Sequence, residues 1–152
     1  MAKKRKLVLE YAPDFKAFGL FAALKGYRLC WLLNKDLGLD LKRMPEFLYT
    51  PYKAVEAISF PVFFYKNPAL LLQYFLLVNK TTQGVLVEQP KNMDFLFLVR
   101  NPVDHGHADE VVRYMKQIPN VQAVFPFDEK LAKQVIYMLY DFEMFVGAIK
   151  DE

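Results

Sequence analysis

Met93-Asp94-Phe95-Leu96-Phe97-Leu98-Val99 is the stretch on which the fold turns. Residues 95 to 99 are apolar without alternation, so a strand here has two apolar faces and must be covered on both sides, as a central strand is. Downstream the period changes. Asp104 to His107 opens a helix through Gln117, with Val111, Val112, Met115 and Ile118 at core spacing, and Val121 to Phe127 reads as another strand. Residues 93 to 127 thus form a strand-helix-strand unit, right-handed if its two strands run parallel. Asp128 then caps a C-terminal helix expected to run to Val146.

Upstream, Ile58 to Tyr65 and Leu70 to Val78 are two apolar runs separated by Lys66-Asn67-Pro68, the pattern of a β-hairpin. Asn79 to Gly84 is a polar turn, Val85 to Val87 a short strand, and Gln89 to Asn92 a further connection. Nearer the N-terminus, Lys6 to Tyr11 alternates as a strand would until Pro13-Asp14 breaks it, and Phe15 to Leu20 fits strand or helix equally. Phe21 to Leu37 is expected to be helical, with Gly26, Leu29, Cys30, Leu33 and Leu37 on one stripe and Gly38 at the left-handed cap. Arg43 to Tyr52 is read as a connection, too long to be structureless throughout and so open to part-strand. These pieces assemble into one α+β domain over residues 7 to 152, preceded by a basic tail at 1 to 6 that is expected to be flexible. Its sheet is largely antiparallel, with five or six strands, and helices lie near 21–37, 105–117 and 128–146.

Bulk properties narrow the function classes. The 152 residues are 54% hydrophobic and 16% aromatic, which excludes a disordered chain and supplies a sizeable core. The lone Cys30 has no intrachain disulfide partner, pointing to a reducing, cytoplasmic setting. The formal charge is +3, but Lys3, Lys4, Arg5 and Lys6 set it. Without them sixteen cations face 17 acids, a net of −1, and the domain lacks the global excess usual in nucleic-acid binders. Glu10 and Asp14 cut the apolar run after the tail short of a signal sequence, and the longest uncharged stretch, Asn67 to Asn79, is too short to span a bilayer.

Three places carry residue types capable of chemistry. Asp104-His105-Gly106-His107-Ala108-Asp109-Glu110 gathers both histidines and three carboxylates, the composition of a divalent-metal site. Capping and dipole preferences at a helix start explain the carboxylates without a metal, and no metal or other cofactor is expected. Cys30 lies on the core stripe with no histidine near it, so it reads as a small hydrophobe rather than a nucleophile. With no phosphate-binding Gly-rich loop, Ser-centred elbow or paired carboxylates, no catalytic residue is assigned. On the outer face of the first helix, Tyr27, Trp31 and Lys35 are spaced by four, with Arg28 and Asn34 alongside. Such a set can grip a protein partner, stack on a base or hold an anion; otherwise Tyr27 and Trp31 pack under residues 43–52 while the cations reach water.

Lys25-Gly-Tyr-Arg-Leu-Cys-Trp-Leu-Leu-Asn-Lys-Asp-Leu-Gly38 resembles the first-helix signature of the IPExxxVDY family of small bacterial proteins. Val87-Glu-Gln-Pro-Lys-Asn-Met-Asp-Phe95 falls where the name-giving motif belongs, although only Asp94 is identical there, and Ile118 to Phe125 resembles a later strand of the family. The likeness covers roughly residues 3 to 128. It implies the fold and a cytosolic setting, and it brings no catalytic constellation.

The last helix carries the remaining expectation. Leu131, Val135, Met138, Leu139, Phe142, Phe145 and Val146 form a stripe able to cover the sheet, yet Ile136, Tyr137, Tyr140 and Met144 are apolar on other sides. A helix apolar nearly all round is normally buried nearly all round. The surplus points to a homodimer or a protein partner contacting Ile136, Tyr137, Tyr140 and Met144, unless residues 43–52 or the N-terminal strand cover them. The functional expectation is therefore a non-enzymatic interaction module, with an RNA- or nucleotide-binding accessory role through Tyr27, Trp31 and the basic tail as the alternative.

Overall fold

In the computed structural model, which describes residues 15–100 and 105–149, the ambiguous segment at the start is strand. β1 (Phe15–Ala22) sends Phe18, Leu20 and Ala22 to one side and Phe15, Ala17 and Phe21 to the other. Two apolar faces at period two suit a strand buried in a sheet. Gly19 in its middle leaves room for neighbours, since a Cβ there would lie 2.4 Å from the Phe125 ring and 2.5 Å from Met93 Sδ. The tail at 1–6 and the strand expected over Lys6 to Tyr11 lie outside the described residues.

Helix α1 (Gly26–Leu37) begins five residues later than its periodicity suggests, because Phe21 and Ala22 are claimed by pairing with β6 (Val121–Pro126). It buries Leu29, Cys30 and Leu33 and ends on Gly38, whose φ of 67° is the left-handed cap. The stretch read as a connection is mostly strand: β2 (Lys42–Tyr49) pairs with β3 (Ile58–Lys66) and breaks register between Met44 and Phe47, a bulge that accommodates Pro45 at the sheet edge. β3 and β4 (Gln73–Val78) form the expected hairpin, Phe64 opposite Phe75. Its turn is held by Asn67, whose Oδ1 accepts from the Ala69 and Leu70 N–H groups.

β5 (Phe95–Arg100) has its first five residues buried, as its unbroken apolar run requires. The sheet order is β2-β3-β4-β5-β1-β6, with each neighbouring pair antiparallel. β5 and β6 are thus parallel to each other with β1 between them, so the strand-helix-strand unit straddles the first strand. α2 (His105–Met115) connects them. Val85 to Val87 is not a strand, for only a Lys80–Val85 bridge forms there. The single C-terminal helix of the sequence reading is two: Asp128 caps α3 (Glu129–Gln134) by accepting from the Leu131 N–H at 2.8 Å, Val135 breaks the helical geometry, and α4 (Ile136–Ile149) follows.

Alternation along the strands divides the interior into two cores. Phe18, Leu20, Phe63, Tyr74, Leu76, Phe95 and Phe97 pack beneath α1 and α2. Phe47, Phe60, Phe75, Leu77, Leu96 and Leu98 pack beneath α4, which contributes Met138, Leu139, Phe142 and Val146. Over the described residues the protein is a three-layer α+β domain whose helices lie on both faces of a six-stranded antiparallel sheet.

Candidate functional site

The metal-like cluster comes apart in three dimensions. His107 turns inward, its Nδ1 hydrogen-bonded to the hydroxyl of the buried Tyr74 and its ring stacked on the tyrosine at 5.6 Å. Asp109 and Glu110 face outward, while Asp104 and the His105 side chain lie outside the described residues. Among the described residues no three metal-ligating side chains come together. Cys30 is buried on the inner side of α1, and burial pushes its thiol up to about 12, so it carries no thiolate at neutral pH.

The outer face of α1 divides by role. Asn34 is occupied structurally: its amide donates to the Leu41 carbonyl at 3.1 Å and its Oδ1 accepts from the Leu41 N–H at 2.8 Å, fixing the turn into β2. Tyr27, Arg28, Trp31 and Lys35 are all exposed. Tyr27 is 69% and Trp31 48% exposed, so residues 43–52, drawn into the sheet edge as β2, do not cover them. The Arg28 guanidinium and the Lys35 ammonium each lie 4.9 Å from the Trp31 ring. The acid of this helix, Asp36, accepts from the Tyr114 hydroxyl of α2. Burial, then this bond and the Asp36 charge, raise the Tyr114 hydroxyl to about 12.

On α4 the expected surplus is real. Tyr137 and Met144 are 79% and 75% exposed, and Ile136 and Tyr140 are half-buried. Seven residues apart on one helix, Tyr137 and Met144 stand on the same side, opposite the face that meets the sheet. β2 covers part of the helix, through Phe47 against Phe142 and Phe145 with ring centroids 5.2 and 5.3 Å apart, but leaves these two residues bare.

A concave site that the periodicities did not reveal lies at one end of α4. A cleft of about 530 Å³ is enclosed by Tyr49 to Tyr52, Leu86 to Gln89, and Gln134, Val135, Tyr137 and Met138. The end of β2, the irregular segment after β4 and the break between α3 and α4 form its three walls. Asn79 holds the middle wall. Fully buried, it receives the Val87 N–H on Oδ1 at 2.7 Å and donates from Nδ2 to the Val87 and Met93 carbonyls at 3.0 and 2.8 Å. Asp94 secures the same segment, accepting the Ala22 N–H at 2.8 Å and pairing with Lys80 at 3.5 Å. Tyr49 in the outer wall is held protonated above its usual range by burial and by the charge of Asp141. Glu88 is the charged residue of the lining. Aromatic and apolar walls with a few polar groups make a surface suited to binding. The only sequence signal for it was the cluster of turn-forming residues from Asn79 to Asn92. Set against protein-family models, curated proteins and solved structures, the chain matches none of them.

Proposed function

We propose that the protein is a non-enzymatic interaction module that self-associates through the outer face of α4. The observation that carries this reading is the exposure of Tyr137 and Met144 on a helix whose opposite face is fully engaged with the sheet. Ala148, also exposed, continues their line by one turn, so that Tyr137, Tyr140, Met144 and Ala148 follow one another along one side of the helix at steps of three, four and four residues. Glu143 is drawn aside to Arg100 at 3.6 Å, which leaves Asp141 as the other charged residue of α4. A two-fold contact places this patch against its own copy, the commonest closed arrangement.

Light scattering at micromolar concentration tests the reading. The native chain is expected to run as a dimer, and Tyr137→Glu with Met144→Glu as a monomer with unchanged far-ultraviolet circular dichroism. A native monomer, or a dimer that survives both substitutions, overturns the proposal.

A further inference from the structure

A second surface, on the opposite face of the sheet from α4, is independent of that contact. We infer that the outer face of α1 docks single-stranded nucleic acid. Lys25, Arg28 and Lys35 are exposed on this face, and none of them is within ion-pair distance of a carboxylate among the described residues. Some other surface cations are matched, Lys42 with Asp40, Arg43 with Glu46 and Lys133 with Glu129, while Lys16, Lys66, Arg113 and Lys130, like Lys25, Arg28 and Lys35, are in no ion pair among the described residues. The acid of α1, Asp36, accepts from the Tyr114 hydroxyl. Three cations against one carboxylate give this helix and its N-cap a local excess of positive charge although the domain as a whole carries none.

Between these cations stand two exposed rings, Tyr27 and Trp31, one helical turn apart. Rings with interleaved cations match the two chemistries of a single strand, bases that stack and phosphates that pair with cations. Trp31 already holds Arg28 and Lys35 over its ring, each 4.9 Å from the centroid. A base takes the place of one, and the released side chain reaches the flanking phosphate. An acidic peptide would use the cations and leave the rings idle. A bilayer would require large aliphatic side chains, and no aliphatic residue of α1 is exposed.

Trp31 is the single tryptophan, so it reports on its own surface. Titrating the full chain with an eight-nucleotide oligothymidylate in 50 mM salt is expected to quench its fluorescence. Three phosphate contacts imply an affinity that falls about twentyfold between 50 and 200 mM salt. For variants, anisotropy of a labelled oligonucleotide replaces fluorescence. Arg28→Ala with Lys35→Ala is expected to weaken binding at least tenfold and to flatten the salt dependence, while Lys133→Ala, which removes a cation elsewhere, leaves it unchanged. The double variant keeps Lys3 to Lys6, so binding of undiminished affinity in it belongs to the tail and overturns the proposal. Absence of quenching at 50 mM salt, or equal quenching by polyglutamate or by phosphatidylserine vesicles, overturns it as well.

Discussion

Asn79 shows how much one buried polar side chain can organise. The backbone between β4 and β5 has no strand partners over most of its length, so its buried polar groups need partners from elsewhere. Asn79 supplies three side-chain bonds, and its own N–H and carbonyl serve Asp94 and Leu86 at 2.9 and 2.8 Å. Because the three side-chain bonds are buried, truncation strands the Val87 N–H and two carbonyls together. Asn79→Ala is expected to cost about 2–4 kcal/mol, more than a turn asparagine would. Urea denaturation measures it, and a loss below about 1 kcal/mol would mean that water replaces the side chain.

At the scale of elements, what the sequence disclosed depended on whether the decisive force was local. The β3–β4 hairpin, the central position of β5, the Gly38 stop and the Asp128 cap were all legible, since turn chemistry, two-faced hydrophobicity and capping act within a few residues. β2 was obscured by Pro45 and by charged Lys42, Arg43 and Glu46, because an edge strand is selected by what it leaves unpaired rather than by an apolar run. The start of α1 was misplaced for a related reason: Phe21 and Ala22 obey a register with β6 a hundred residues away. The α1 and α4 surfaces were readable because an amphipathic helix announces its outer face. The cleft was not, since its three walls meet only through tertiary packing. The break at Val135 assigns a separable role to α3, whose residues are never buried and which stands on its cap. Asp128→Ala is accordingly expected to cost about 1 kcal/mol and to raise hydrogen exchange across residues 129 to 134 while α4 stays protected. Exchange spreading into α4 would show that the two helices melt as one.

For the whole molecule, alkali acts on the α1–α2 side of the sheet through two groups whose protons folding holds more tightly. Cys30, on the buried face of α1, and Tyr114, at the junction of α1 with α2, both have folded-state values of about 12, against ordinary values of 9.0 and 10.0. A value raised by folding means that the native state holds its proton more tightly than the unfolded chain does. The associated stability is complete below about pH 9 and is lost as pH climbs towards 12. Burial is the largest cause for each, but the two do not weigh equally. The Cys30 thiol is enclosed by the core, whereas the Tyr114 hydroxyl lies near water, where screening reduces its effect. The urea midpoint of the native protein is therefore expected to fall between pH 9 and 12. Cys30→Ala, less stable at pH 7 for want of its sulfur, should lose less over that interval, while Tyr114→Phe should follow the native curve closely. Parallel curves for native and Cys30→Ala would show that the thiol escapes desolvation by local opening of α1, and the α1 layer would then be the mobile side of the domain.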